Sequence, residues 1–372
     1  MSQDKLRKKV EDLLSFGDVK INGDRSWDMR VHNDQLYPRL LVKGSLGLCE
    51  SYMDGWWDCD RLDEFSDRIL KAHLENRVTP LTNFFQAFKA KLFNFQKPSK
   101  AFNIGKHHYD IGNDLYRQML DGRLIYSCGY WKDATTLDEA QDAKLDMICR
   151  KLKLQPGMRV LDIGCGWGGT ARFAAKRYGV EVVGITVSKN QYQLAKKLCD
   201  GFPVEIRLQD YRSLEGHFDR ILSIGMFEHV GYKNYVAFMK VVKRCLKNDG
   251  LFLLHTIGGN TSVANINPCI ERYIFPRSML PSANQISDAI EGLFVLEDWH
   301  SFGVYYDKTL MQWFKNFHDN WNVLKKSYDE RFYRMWKFYL LSCAGSFRAR
   351  INQVWQIVFS PEGVQGGYVA ER

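Results

Sequence analysis

Four glycines within six residues close the segment R-V-L-D-I-G-C-G-W-G-G, Arg159 to Gly169, and this stretch restricts the fold of the chain more than any other. Val160 to Ile163 reads as a short buried strand, and Gly164, Gly166, Gly168 and Gly169 as a turn that brings backbone against a ligand before a helix begins. Glycine at this density weakens ordinary packing, so a strand, turn and helix of this composition point to a nucleotide-type cofactor. Gly164, Gly166 and Gly169 satisfy the fingerprint G-x-G-x-x-G, which puts a nicotinamide or flavin dinucleotide first to be weighed. Two residues oppose it. A dinucleotide site takes an acidic residue about 20 positions on, at the end of the second strand. Here that strand, Glu181 to Ile185, runs into Thr186. Asp162, just before the first glycine, is instead placed to accept hydrogen bonds from the ammonium of an amino-acid ligand.

An ammonium and a nucleoside occur together in S-adenosylmethionine, and the segment resembles the cofactor loop of class I methyltransferases. Strands at 159–163, 181–185, 204–208, 219–224 and 250–256 alternate with helices at 168–178, 190–200 and 233–246, and Gln353 to Phe359 reads as a final strand that closes the sheet. The expected fold class is α/β: a doubly wound, mostly parallel seven-stranded sheet of class I methyltransferase type with a smaller N-terminal α+β domain. Ligands of such sheets bind at the carboxyl ends of the strands, so Asp162, Thr186, Asp210, Glu228 and His255 are expected on one rim.

A length of 372 residues with 45% hydrophobic content supports two domains of unequal size. Residues 1–88 form the first, expected to be lipid- or membrane-associated; 89–104 are a basic linker; 105–372 are the catalytic domain. In the first, strand candidates follow a basic amphipathic helix, at Val19 to Ile21, Met29 to Val31 and Arg39 to Val42, and the glycine- and aromatic-rich residues 44–57 read as a packed corner. No apolar run approaches the roughly 20 residues of a spanning helix, and the N-terminus is charged, so a cytoplasmic protein is expected. The nine cysteines include no C-x-x-C pair, so free thiols and no metal site are expected.

A net charge of +9 admits nucleic acid or an anionic membrane surface as partner. From Arg77 to Tyr109 there is no acidic residue, while Phe84, Phe88, Leu92 and Phe95 share one helical face rimmed by lysines, the pattern of an interfacial helix. No nucleic-acid-binding pattern accompanies it. Peripheral association with the inner face of a membrane is the expectation.

The motifs Y-S-C-G-Y-W-K-D, V-L-D-I-G-C-G-W-G-G, G-I-T-V-S-K-N-Q, L-Q-D-Y-R, I-G-M-F-E-H-V-G, L-L-H-T-I-G and A-G-S-F-R-A-R together resemble the bacterial cyclopropane-fatty-acyl-phospholipid synthases over nearly the whole chain. The resemblance implies methylene transfer from S-adenosylmethionine to a cis double bond in an acyl chain of membrane phospholipid, and a homodimer. It implies that Tyr126, Ser127, Gly164, Gly166, Thr186, Gln191, Gln209, Asp210 and Tyr211, with Asp162, line the cofactor. The residue chemistry agrees: Thr186 and Gln191 offer neutral hydrogen bonds to a ribose, Asp210 an acceptor to an adenine amino group, Tyr211 a ring face. The base is implied to be a bound bicarbonate ion held by Cys128, Glu228, His255, Ile257 and Tyr306. Aromatic faces suit the cation formed on the chain, which gives Tyr130, Trp131, Tyr273, Phe275, Tyr305, Tyr306 and Trp336 a chemical use beside packing.

His229 would point away from the ligand if its loop were extended, and reads as structural. Cys343 is carried as a site candidate, although a buried thiol on an aromatic helix is usually an inert small hydrophobe. The competing functions are C- or N-methylation of a soluble acceptor, and a non-catalytic lipid-binding protein on the same scaffold.

Overall fold

A computed structural model describes residues 2–74, 112–263 and 266–372. The expected basic linker and the stripe of Phe84, Phe88, Leu92 and Phe95 lie outside them. The chain divides into two units: one takes the described residues of Met1–Phe93 with Ala264–Pro276 and Tyr306–Asn352, the other those of Asn94–Val263, Arg277–Tyr305 and Gln353–Arg372.

The first unit is helical around one short antiparallel pair, β1 (Arg30–Val31) against β2 (Trp57–Asp58). The strand expected at Arg39 to Val42 is instead part of a helix, Leu36–Lys43. A short apolar run does not distinguish strand from helix by pattern. Pro38 falls in the helix's first turn, where its missing N–H costs nothing, and the buried side chains are Leu36 and Tyr37 while Val42 is 68% exposed. Residues 45–53 are also helical, and a Cβ at Gly47 would meet the Arg39 carbonyl oxygen at 2.4 Å, so glycine lets the two helices cross closely. Trp57 is fully buried against Tyr52, Phe65 and Phe338. The helix Glu330–Arg348 crosses Leu62–Lys71 where a Cβ on Gly345 would lie 2.5 Å from the Asp63 carbonyl oxygen. Arg348 spans Asp63 and Asp307 there.

The cysteine reading needs correction. Cys49 and Cys269 are joined by a disulfide within this unit, across 220 positions of sequence, while the other seven thiols are free. Sequence spacing has no access to a pairing that tertiary packing creates.

The second unit carries a seven-stranded sheet of β3 (Arg159–Ile163), β4 (Glu181–Thr186), β5 (Val204–Leu208), β6 (Phe218–Ile224), β7 (Leu246–Gly259), β8 (Val295–Ser301) and β9 (Asn352–Ser360). Their spatial order is β5-β4-β3-β6-β7-β9-β8. β3 pairs parallel with both β4 and β6, β4 with β5 and β6 with β7. The chain therefore winds outward from β3 first to one side and then to the other, which opens a crevice at its carboxyl end. β9 does not close the sheet. It lies between β7 and an edge strand, β8, with which it pairs antiparallel. The sequence of β8, V-L-E-D-W-H-S, is half polar and half exposed, so it lacks the continuous apolar run by which the inner strands are recognised.

Candidate active site

At the end of β3 the chain turns at Gly164, whose N–H and that of Cys165 both donate to the Ile185 carbonyl. Gly164, Gly166 and Gly168 have φ of 89°, 55° and 78°. Their reasons differ. A Cβ at Gly164 would meet Met226 at 2.7 Å and one at Gly168 the Cys199 sulfur at 2.5 Å, whereas one at Gly166 would meet nothing and project into open space. Gly166 therefore leaves room for a ligand, and its neighbours allow close packing.

The cavity beside this turn is lined by Tyr126, Ser127, Asp162, Gly164, Gly166, Thr186, Gln191, Gln209, Asp210 and Tyr211, the whole expected cofactor set. Each is positioned by local structure. Ser188 caps the helix Lys189–Leu198 and puts Gln191 in its first turn, where Thr186 Oγ1 donates to Gln191 Oε1 at 2.8 Å. With that carbonyl taken, Gln191 has its amide N–H groups to offer. Asp210 caps the short helix Tyr211–Ser213 and pairs with Arg212, Nε at 2.9 Å and Nη2 at 3.1 Å, a partner that sequence reasoning missed. Gln209 donates to the Ser213 carbonyl, and Tyr211 packs edge-on against Phe238.

Asp162 is buried, and its Oδ2 has no hydrogen-bond partner among the described residues. Burial pushes its pKa up to about 7. A carboxylate oxygen at a cavity with no partner among the described residues suits a cationic ligand group, and with the space beside Gly166 it fits the amino-acid end of S-adenosylmethionine.

His229 is also among the residues lining the cavity, and the condition under which it would point away is not met. That reading supposed an extended loop; residues 227–229 instead form a turn of 3-10 helix, in which neighbouring side chains do not alternate by half a turn. Burial lowers its pKa to about 4, so it is neutral.

Glu228 accepts from the Ile257 N–H through Oε1 at 2.7 Å, and its Oε2 has no partner among the described residues. Burial raises its pKa to about 7, opposed by that N–H. His255 lies in β7 opposite Ile224 at the end of β6. Burial, with the charges of Lys144 and Lys151, holds it well below the ordinary histidine pKa, hence neutral. Gln356 Nε2 lies 3.3 Å from its Nδ1. If that amide donates, the ring proton is on Nε2, which has no partner among the described residues. Gln356 was readable as the polar interruption of V-W-Q-I-V-F in β9. Beside His255 an aromatic cluster gathers: Phe302 at 5.7 Å from it, and Tyr130 edge-on to Phe302 and Tyr305 at 5.5 and 5.4 Å. The Cys128 thiol, buried, points to the Gly129 carbonyl.

Tyr306 belongs to the first unit, where its ring stacks on Phe347 at 4.5 Å and meets Trp313 edge-on. Tyr273, Phe275 and Trp336 are there too. Cys343, in the helix Glu330–Arg348, has its thiol pushed up to about 12 by burial. It is therefore uncharged and poorly nucleophilic near neutral pH. Cys343→Ser is expected to keep most of its turnover; folded, cofactor-binding protein with no activity would show that the thiol takes part.

Two further residues stand behind the cavity, on the helix Leu137–Lys151. This helix starts in a capping box of Thr136 and Glu139 and buries Ala140, Leu145, Ile148 and Cys149, as its periodicity predicts. Gln141 and Lys144 share that buried face. Gln141 Nε2 donates to the Ser127 carbonyl at 2.9 Å and Lys144 Nζ to Ser127 Oγ at 2.7 Å.

Comparison with known proteins agrees with this fold. Residues 96–357 match the family described as mycolic acid cyclopropane synthetase. A cyclopropane-fatty-acyl-phospholipid synthase of Escherichia coli is 53% identical over 359 residues, 96% of this chain and 94% of that one. Among solved structures, the cyclopropane synthase MmaA2 from Mycobacterium tuberculosis is 33% identical with a TM-score of 0.67, over 72% of this chain and 99% of that one. The mycolic acid cyclopropane synthase CmaA1 complexed with SAH and CTAB is 35% identical with a TM-score of 0.65, over 69% and 97%.

Proposed function

The chain belongs to the mycolic acid cyclopropane synthetase family, and from that premise we propose that it converts a cis double bond in an acyl chain of membrane phospholipid into a cyclopropane ring with S-adenosylmethionine as one-carbon donor. The observation that carries the reading is a set of buried polar atoms in one unit without partners among the described residues: Asp162 Oδ2 at the glycine turn, with Glu228 Oε2 and His255 Nε2 on the neighbouring strand ends. The first supports a cationic ligand group and the other two an exchangeable anion. A phospholipid acceptor is favoured because the relative of that name matches almost the whole chain, whereas the family match begins at residue 96.

When bound, S-adenosylmethionine supplies an electrophilic methyl group. Asp162, Thr186, Gln191 and Asp210 bind and orient the donor. An isolated alkene is a weak nucleophile, so that alignment is a large part of catalysis. Attack leaves positive charge on a carbon of the acyl chain, and the rings of Tyr130, Phe302 and Tyr305 exclude water and face that charge without trapping it. Ring closure needs a base, and a side-chain carboxylate there could itself attack the cation. Glu228, held by the Ile257 N–H, and His255, with Cys128 through backbone groups, would hold bicarbonate, which would supply an untethered base. Glu228 would accept a hydroxyl proton at Oε2, and His255 would donate from Nε2 to an oxygen.

The test incubates the protein with methyl-labelled S-adenosylmethionine and vesicles of unsaturated phospholipid. Label in lipid one methylene heavier is expected. Label only in an added soluble amine, or none at all, would replace the reading with one of its competitors. The lipid substrate also implies peripheral membrane binding, for which the charge of +9 is suited. Co-sedimentation is expected to rise with anionic lipid and fall with salt, each basic residue near the surface being worth about 1 kcal/mol within a Debye length. Equal sedimentation with neutral and anionic vesicles would count against it.

A further inference from the structure

Lys144 is fully buried in the helix Leu137–Lys151, a costly place for an ammonium group. No carboxylate pairs with it among the described residues. Asp121, the buried acid whose charge reaches it, instead accepts the backbone N–H groups of Ile125 at 2.8 Å and Arg123 at 3.0 Å. The hydrogen bond Lys144 does make is to a neutral hydroxyl, Ser127 Oγ, at 2.7 Å. One turn earlier on the same face, Gln141 holds the Ser127 carbonyl. The helix thus grips Ser127 from behind, and Ser127 lines the cofactor cavity.

Burial lowers the Lys144 pKa to about 7; in the charged form, which a bound carboxylate favours, it can only donate, so Ser127 Oγ is then the acceptor of this bond and its own proton remains to be donated elsewhere. The amino-acid end of S-adenosylmethionine has two charges to satisfy. Asp162 answers the ammonium. For the carboxylate, the cationic side chain among the described residues of the cavity lining is Arg212, already forked onto Asp210. We propose that Lys144 is a positioning residue acting through Ser127: it orients the serine hydroxyl as a donor to the carboxylate of bound S-adenosylmethionine and supplies the buried counter-charge behind it. This rests on the cofactor reading above.

The test is calorimetric titration of the full-length protein with S-adenosylmethionine and with its decarboxylated form, which keeps the ammonium and the nucleoside. Ser127→Ala and Lys144→Met are each expected to weaken S-adenosylmethionine roughly 10- to 100-fold, the range for a hydrogen bond to a charged group. The decarboxylated ligand should bind wild type and both variants alike. The double variant should lose less than the two single losses combined, because Lys144 acts in part through Ser127. Equal losses for both ligands would mean that Lys144 only supports the fold, and would overturn the proposal. So would wild-type affinity for S-adenosylmethionine in Ser127→Ala, a variant that removes one oxygen and stays informative if Lys144→Met does not fold. Failure of wild type to bind either ligand would instead remove the cofactor reading, and this inference with it.

Discussion

Asp162→Ala is expected to reduce S-adenosylmethionine binding below detection by calorimetry while the protein stays folded. The carboxylate is buried, its Oδ2 has no partner among the described residues, and it lines the cavity at the glycine turn. Removing it leaves a cationic ammonium in a low-dielectric site with no acceptor, a penalty of several kcal/mol. Alanine fills less space and adds no strain to β3, so the fold has no reason to fail. The pH dependence has a definite sign. In the free protein burial raises the Asp162 pKa to about 7. An ammonium alongside favours the ionised form, so binding releases a proton wherever the free acid is protonated. Affinity is therefore full above about pH 7 and declines as pH falls through it. His229, in the same lining and held near 4, stays neutral across that window. Gly166→Val is expected to match the alanine variant by a different route, placing a side chain in the space the ligand needs. Undiminished affinity in both variants would defeat the site assignment.

Glu228→Gln and His255→Gln should separate chemistry from binding: turnover falls by roughly 10² or more, the scale of a positioned proton-transfer group, while S-adenosylmethionine affinity stays near wild type. Glutamine at 228 can still accept from the Ile257 N–H through its carbonyl but offers an N–H2 where Oε2 stood, so it cannot take a hydroxyl proton. Glutamine at 255 loses the ring whose Nε2 is without a partner among the described residues. Degassed buffer should slow the wild-type enzyme, and added bicarbonate restore it. Full activity without bicarbonate would leave Glu228 acting directly as the base, and wild-type turnover in both variants would remove the pair from the mechanism.

Local signals were enough for much of this molecule. The glycine turn, the strands on either side of it and the polar residues at their carboxyl ends were legible because strand period, turn chemistry and helix capping act over a few residues, and the doubly wound topology then carries Asp162, Thr186 and Asp210 to one rim. Lys144 lay within reach as well, since it shares a helical face with Ala140 and Ile148, yet only the fold shows Ser127 waiting at the end of its side chain. His229 turned on whether three residues curl or extend. The insertion of β9 between β7 and β8 and the bond between Cys49 and Cys269 depended on surfaces meeting across long stretches of chain. Sequence by itself settled most elements around the glycine turn and the chemistry they can present, although it read part of the helix Leu36–Lys43 as a strand and gave no signal for β8. Which of them touch was decided by tertiary packing, because contacts between distant segments are selected by the shape and burial of the whole unit, and no short window of residues contains that information.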